Sequence, residues 1–201
     1  MEIKLSIYNP EQHTINAAFS AIFGPDGRLL VVGSLDGTPP RFGHGELELP
    51  GGGIDGHQER DPLSVAARET KEETGLDILS GDSEISVTVL SRSKERIAHT
   101  GLVIVQYAHE IPVDLSFVSP ETTSLSLVDP RDFIALPTHE EDSVAERKTF
   151  RAHRIMAACA LGITEEEIDP LKDPIEMMFA PFNNRFVTEL LAELSMDAAK
   201  A

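Results

Sequence analysis

Three glutamates, Glu69, Glu72 and Glu73, form the pattern in this sequence that could do chemistry. Their i, i+3 and i+4 spacing would place all three carboxylates on one face of a helix. Gly75 follows two residues after Glu73, and a glycine is expected just past a helix end. The cluster therefore lies near the C-terminus of the helix, where the helix dipole disfavours negative charge. A bound cation would offset this repulsion, and carboxylate oxygens suit Mg²⁺ or Mn²⁺. The pattern therefore predicts a divalent-metal site.

The residues before this cluster predict where the helix begins and what precedes it. Asp61 is a typical N-cap and Pro62 suits the first helical position, so we expect a helix over roughly residues 62–74. The glycine-rich stretch LPGGG in front can bring backbone groups close to a metal or a phosphate. The alternative is a solvated, glutamate-rich helix in which Arg68 and Lys71 only balance charge. The glycine-rich stretch favours the metal site.

Residues 51–76 resemble the signature box of the Nudix hydrolases, written G-x5-E-x7-R-E-U-x-E-E-x-G-U, where U is bulky and apolar. The matching residues here are Gly52, Glu59, Arg68, Glu69, Glu72, Glu73, Gly75 and Leu76. From Arg68 onward the match departs at Thr70 alone, which replaces the usual aliphatic residue. Six residues separate Gly52 from Glu59 and eight separate Glu59 from Arg68, so the loop is two residues longer than the pattern.

This resemblance implies a role for each charged residue of the box. Glu69 and Glu73 are the expected principal metal ligands, and Glu72 is expected to share a second ion. The backbone carbonyl of Gly51 is a further expected ligand, because the family uses the backbone there. Arg68 is expected to orient a neighbouring carboxylate, with Glu72 in reach at i+4, and Glu69 is an alternative candidate for the general base. The residues expected to shape the loop and the helix end are Gly52, Gly53, Glu59 and Gly75.

The remaining sequence predicts an α/β fold. Apolar or alternating stretches predict strands at residues 14–23, 28–34, 45–49, 84–91, 101–109 and 122–128. Together with the helix at 62–74, this order resembles the Nudix fold, an α/β/α sandwich with a mixed sheet, over roughly residues 12–137. We expect the whole chain of 201 residues to be one Nudix domain.

A C-terminal helical extension is expected at about residues 139–198. A capping box at 143–146 predicts a helix that runs to Gly162, and an amphipathic pattern predicts a last helix near 182–195. The sequence leaves open whether this extension caps the substrate pocket, forms a homodimer contact or packs against the sheet.

Composition and charge restrict the partners. The formal net charge of −17 argues against duplex nucleic acid and against an anionic membrane surface, so a phosphorylated substrate needs metal ions or local basic residues. No apolar run reaches the length of a membrane span, and the N-terminus lacks the apolar core of a signal peptide, so we expect a cytoplasmic protein. The single cysteine, Cys159, excludes an internal disulfide and is expected to be a buried structural thiol.

Four charged residues outside the box are weaker candidates for substrate binding. Arg92, Lys94 and Arg96 cluster in a predicted loop between two strands of an otherwise acidic protein. Glu121 opens a segment that resembles a strand in which some family members place another glutamate. The alternative for the basic residues is a solvated loop tip, and for Glu121 simple exposure. No histidine is assigned a role.

The resemblance implies a Mg²⁺-dependent hydrolase, with Mn²⁺ as a substitute, that cleaves the diphosphate linkage of a nucleoside diphosphate joined to another moiety. A metal-activated water would attack phosphorus, and the substrate would be a nucleotide sugar, a nucleoside triphosphate or a similar molecule. The subgroup signatures for ADP-ribose, dinucleoside polyphosphates, coenzyme A and NADH are missing.

Two alternative functions stay open. The first is a non-catalytic nucleotide-sensing module, against which the intact glutamates argue. The second is an enzyme like isopentenyl diphosphate isomerase, which relies on a catalytic cysteine. Cys159 lies far along the chain in a predicted helix, which disfavours this second alternative.

Overall fold

A computed structural model describes the chain over residues 2–10, 13–34, 46–55, 61–93, 97–117, 119–120, 122–137 and 148–163. The strands in this part of the chain are β1 (Glu2–Ile7), β2 (Ile15–Phe23), β3 (Leu29–Ser34), β4 (Glu46–Glu48), β5 (Gly51–Gly53), β6 (Ser83–Ser93), β7 (Ile97–Tyr107), β8 (Thr122–Val128) and β9 (Lys148–Thr149). The helices are α1 (Pro62–Thr74), α2 (Pro130–Ile134) and α3 (Arg151–Ala160). None of these helices is long and apolar enough to cross a membrane.

The strands form one mixed sheet centred on β2. β2 runs parallel to β7 along its whole length, while its other edge pairs antiparallel with β5 and, at the hairpin end, with β3. The continuous order across the sheet is β1-β6-β7-β2-β3-β4-β9, and β8 adds to β3. β9 is parallel to β4, whereas the β1–β6, β6–β7, β3–β4 and β3–β8 pairs are antiparallel.

Each face of the sheet buries its own hydrophobic cluster. Along β3, Leu29 and Val31 belong to the cluster that includes α2 and α3, whereas Leu30 and Val32 belong to the cluster that includes α1. This division follows from the two-residue period of a strand, which sends successive side chains to opposite faces. Helices therefore cover both faces, and the predicted α/β/α sandwich with a mixed sheet is confirmed.

α1 begins and ends at the residues that local signals predict. Asp61 is the N-cap, and its carboxylate accepts a hydrogen bond from the Ser64 amide across 2.9 Å. Gly75 adopts a left-handed conformation with φ 72° and donates its N–H to the Lys71 carbonyl at 2.9 Å, which closes the last turn. The acidic cluster is thereby fixed on the final two turns of this helix.

Two parts of the chain differ from expectation. β1 is not among the predicted strands, although its sequence EIKLSI alternates in the way that is typical of a strand. The prediction of a continuous helix from the capping box to Gly162 is wrong at Lys148–Thr149, because these residues pair with Glu46 and Leu47 of β4, and α3 begins only at Arg151. Residues 143–146 and 182–195 lie outside the described residues.

Candidate active site

The predicted site lies where β5 runs beside α1. The three glycines of β5 pair antiparallel with residues 17–19 of β2, and α1 packs against both strands. We refer to residues 49–53, which comprise β5 and the two residues before it, as the glycine strip. The strip brings backbone amides and carbonyls next to the acidic face of the helix.

Hydrogen bonds fasten the glycine strip to α1 at both ends of β5. The Gly51 amide donates to Glu73 Oε2 at 2.8 Å, and Arg68 Nη2 donates to the Gly53 carbonyl at 3.0 Å. Between strip and sheet, the Ser20 amide donates to the Pro50 carbonyl at 2.7 Å. The position of the strip relative to the acidic face is therefore set by specific bonds.

The strip can approach so closely because Gly51 and Gly52 carry no side chain. Gly51 has φ 148°, and a Cβ there would lie 2.4 Å from the Ala18 carbonyl oxygen and 2.5 Å from Phe19 Cα. A Cβ on Gly52 would lie 2.6–2.7 Å from the carboxyl atoms of Glu69. The carboxylate of Glu69 thus rests directly on the strip, in space that any other residue would fill.

The three glutamates occupy different environments despite their shared helix face. Glu69 is 9% exposed, Glu73 is half-buried, and the side chain of Glu72 is 57% exposed. Arg68 joins two of them: its Nη1 lies 2.9 Å from Glu69 Oε1 and 3.0 Å from Glu72 Oε2. The predicted contact of Arg68 with Glu72 is confirmed, whereas its bond to the Gly53 carbonyl depends on the placement of β5 and was not predictable from helix spacing.

The donor set fits a hard divalent cation. Glu73 presents a carboxylate oxygen to Gly51, the Glu69 carboxylate lies against Gly52, and Gly51 adds a backbone carbonyl. Carboxylate and carbonyl oxygens are the ligand types that Mg²⁺ prefers. Among the described residues, no three acidic, histidine or cysteine side chains already converge as a ligand cluster. Arg68 and the Gly51 amide hold these carboxylates, so a cation would compete with them for the same oxygens.

The unusual Thr70 of the box has a partner across the helix–sheet interface. Thr70 Oγ1 and Ser20 Oγ lie 2.8 Å apart, and both residues are fully buried. The Thr70 carbonyl also accepts a hydrogen bond from Thr74 Oγ1 at 2.6 Å. A hydroxyl pair thus replaces the apolar contact that the usual aliphatic residue would make between α1 and β2.

Of the weaker candidates for substrate binding, Arg92 alone has a described backbone position. Arg92 was expected in a loop, but its backbone lies in β6, where it pairs with Ile3 of β1 and Ala98 of β7. That expectation is wrong, because β6 and β7 continue their ladder beyond the apolar stretches that predict them. Lys94, Arg96, Glu59 and Glu121 lie outside the described residues.

His153 contacts the glycine strip from α3 and had no assigned role in the sequence. It is 5% exposed, and its Nδ1 accepts a hydrogen bond from the Leu49 amide at 2.8 Å. Its Nε2 lies 3.7 Å from Glu48 Oε2, and its ring meets Phe19 edge-on with centroids 4.7 Å apart. Burial lowers the pKa of His153 to about 3, so the imidazole is neutral. A histidine in an apolar helical run gives no sequence signal for such a contact.

Cys159 is a buried thiol, as predicted. It is 1% exposed within the hydrophobic cluster of α2 and α3, on the sheet face opposite α1, and burial raises its pKa. An isomerase of the type considered above needs a reactive cysteine, and the single cysteine of this chain is unsuited to that role.

Comparison with known proteins assigns the family. The family model described as the NUDIX domain matches residues 13–153, which include the glycine strip, α1 and the contact residue His153. The chain belongs to the Nudix family. It is accordingly a hydrolase of the class that acts on pyrophosphate bonds of nucleoside diphosphate derivatives. A search of curated proteins found no match.

Solved structures of low sequence identity are similar to this Nudix chain. A Deinococcus radiodurans protein is 11% identical with a TM-score of 0.50, over 72% of this chain and 82% of that one. A pyrophosphohydrolase from Bacillus subtilis is 17% identical with a TM-score of 0.48, over 84% and 90%. A MutT protein from Methanosarcina mazei Go1 is 17% identical with a TM-score of 0.46, over 81% and 98%. At such identities the likeness concerns the fold alone.

Proposed function

We propose that this Nudix protein is a Mg²⁺-dependent pyrophosphohydrolase of a nucleoside diphosphate joined to another moiety, such as a nucleotide sugar or a nucleoside triphosphate. One observation carries the proposal: the glycine strip and the acidic face of α1 meet at specific contacts. Glu73 accepts the Gly51 amide at 2.8 Å, and the Glu69 carboxylate occupies the space that a side chain on Gly52 would fill.

In this proposal Glu69, Glu73 and the Gly51 carbonyl hold the cation, and Glu72 shares a second one. Mg²⁺ supplies neutralisation of the diphosphate charge and acidifies a coordinated water. A protein of net charge −17 repels a free diphosphate, so the acidic site needs cations to accept its substrate. Mn²⁺ would serve as a substitute, because it also accepts carboxylate and carbonyl oxygens.

Arg68 positions the carboxylates in this scheme. Its guanidinium spans Glu69, Glu72 and the Gly53 carbonyl at 2.9–3.0 Å, so it fixes two acidic side chains against the strip at once. If Glu69 or Glu72 turned to hold a cation, Arg68 would keep its bond to the Gly53 carbonyl and so its place beside the strip. A glutamate of the cluster that does not hold a cation would be free to accept a proton from the attacking water, and Glu69 is an alternative candidate for this general base.

The test is phosphate or nucleotide release from a panel of nucleotide sugars, nucleoside triphosphates, dinucleotides and coenzyme A, with Mg²⁺ and with Mn²⁺. Wild type is compared with Glu73→Gln, and with Glu84→Gln, which removes the same charge from an exposed position on β6. We expect one substrate class to be turned over, with loss of at least a hundredfold in the Glu73 variant and no loss in the Glu84 variant.

Two outcomes would contradict this proposal. Tight nucleotide binding without turnover of any compound would favour the sensing module. Equal loss in both variants would show that general electrostatics, rather than the carboxylate of Glu73, supports the reaction.

A further inference from the structure

We propose that His153 is a positioning residue for the reaction: it holds the start of the glycine strip so that Gly51 faces Glu73. The imidazole acts from α3, on the face of the sheet opposite α1. The strip is then held between the two helices, with the histidine fixing one end and the acidic face of α1 the other. This inference rests on the proposed function only where it concerns catalysis; its structural part can be tested separately.

The first contact is the hydrogen bond from the Leu49 amide to His153 Nδ1, 2.8 Å long and buried. Leu49 is 1% exposed and is not part of a described strand, so this amide lies beyond the ladder bonds of β4. A neutral imidazole that accepts at Nδ1 carries its proton on Nε2, which here faces Glu48 Oε2 across 3.7 Å. The hydrogen bond at Nδ1 therefore orients the ring, with Nε2 directed towards the Glu48 carboxylate.

The second contact is between the ring of His153 and that of Phe19, with centroids 4.7 Å apart and an interplanar angle of 70°. Phe19 is the residue of β2 that pairs with Gly51. His153 therefore contacts both the strip, two residues before Gly51, and the strand residue directly opposite Gly51. A substitution of His153 would therefore disturb Leu49 and Phe19 together.

Leu49 and Gly51 are only two residues apart, so a displacement of Leu49 acts directly on Gly51. Leu49, Pro50 and Gly51 are consecutive, and each makes a backbone hydrogen bond to a different neighbour: His153, Ser20 and Glu73. Pro50 has a restricted φ, and Gly51 sits at φ 148° against the Ala18 carbonyl. Because Pro50 cannot change its φ, we expect a shift of Leu49 to move the Gly51 amide relative to Glu73.

The structural test uses metal-free protein and measures amide hydrogen exchange by NMR at Leu49 and Gly51. His153→Phe keeps a ring but removes the acceptor, and His153→Asn keeps an acceptor at the equivalent branch. Gln106→Leu is the control, because its side chain donates to the Gly24 and Tyr107 carbonyls at 3.0 and 3.1 Å, in the region of the β2–β3 turn. We expect exchange at Gly51 to rise roughly tenfold more in the phenylalanine variant than in the control, and to stay near wild type in the asparagine variant.

The catalytic test measures hydrolysis against Mg²⁺ concentration in the same variants. His153→Phe is expected to raise the Mg²⁺ concentration for half-maximal rate and to lower kcat several-fold, with little change in the substrate KM. His153→Asn is expected to restore most of both. A merely structural role would lower the yield of folded protein without moving the Mg²⁺ response.

Unchanged exchange at Gly51, or a change matched by Gln106→Leu, would overturn the inference. If His153→Phe does not fold, Phe19→Leu tests the ring contact and should accelerate exchange at Gly51 about threefold; no acceleration there would also overturn it. A wild type that hydrolyses nothing would defeat the proposed function, while the exchange experiment would still decide the positioning.

Discussion

The Gly51 amide donates a hydrogen bond to Glu73 Oε2 across 2.8 Å, and this bond joins the two sequence features that define the site. Gly51 belongs to a strand whose backbone only glycine adopts easily, with φ 148°. Glu73 lies in the last turn of α1, before the left-handed Gly75. The carboxylate that the helix dipole disfavours is therefore compensated, in the absence of a cation, by a backbone donor from the strip.

Alanine substitutions at the two glycines should have different effects. Gly51→Ala is expected to lower the free energy of unfolding by roughly 3 kcal/mol, because its Cβ would meet the Ala18 carbonyl and its φ would be strained. Gly52→Ala should cost less stability, because the group it meets is the end of the flexible Glu69 side chain. The activity of Gly52→Ala should nevertheless fall, because its Cβ displaces the Glu69 carboxylate. Urea unfolding measures the stability of both variants, and hydrolysis of the preferred substrate measures their activity. Equal losses of stability would contradict the different surroundings of the two glycines.

Arg68→Lys should impair catalysis far more than folding. A lysine ammonium cannot span Glu69, Glu72 and the Gly53 carbonyl, which the guanidinium contacts simultaneously at 2.9–3.0 Å. We expect kcat to fall by about 10–100-fold, with a change in unfolding free energy below about 1 kcal/mol. Arg28→Lys is the matched control, because Arg28 pairs with Asp26 in an exposed turn. Similar kcat values for the two variants would exclude the positioning role of Arg68.

The Ser20–Thr70 pair predicts a strongly non-additive mutant cycle. Ser20→Ala and Thr70→Val each remove one hydroxyl and leave the other, 2.8 Å away in the native pair, buried without this partner. Each variant should therefore lose about 1–3 kcal/mol of stability. The double variant makes this part of the α1–β2 interface apolar and should cost less than the sum by about 1 kcal/mol. Thermal or urea unfolding of the four proteins gives the coupling. A coupling near zero would mean that the two hydroxyls do not depend on each other.

The buried neutral His153 predicts a stability that falls in mild acid. Its folded pKa of about 3 is below the ordinary value of 6.5, so between these values the unfolded chain binds a proton that the folded chain does not. The buried histidine therefore causes no loss of stability well above pH 6.5, and below that pH the free energy of unfolding declines by about 1.4 kcal/mol per pH unit. Unfolding at pH 7 and pH 5.5 should show a loss about 1 kcal/mol larger in wild type than in His153→Asn. The same pH dependence in both proteins would contradict a buried, neutral imidazole.

Local signals predict those parts of the fold that local interactions decide. The N-cap Asp61, the helix-starting Pro62 and the terminal Gly75 define α1 because each satisfies or ends the backbone bonds of that helix. Most strands follow from apolar alternation. The acidic cluster and its glycines could be recognised in the sequence because the whole box lies within one continuous segment.

Contacts between distant segments could not be predicted in this way. Ser20 and Thr70 are 50 residues apart and Leu49 and His153 are 104 apart, and both pairs depend on which strands become neighbours. Arg92 was expected in a loop because strand pairing, which decides its position, could not be seen in the sequence. Ladder bonds between β6 and β7 extend the strands through polar residues, and these bonds leave no trace in hydrophobic periodicity.

The most direct test of the metal site is Mn²⁺ binding measured by electron paramagnetic resonance, without any substrate. Glu73→Gln and Glu84→Gln each lack one carboxylate of the wild type and therefore have the same net charge. The comparison thus separates the loss of a specific ligand from a change in the overall charge of −17. We expect wild type and Glu84→Gln to bind Mn²⁺ with the same affinity, and Glu73→Gln to bind at least tenfold more weakly. Equal affinity in all three proteins would contradict a cation held between Glu73 and the glycine strip.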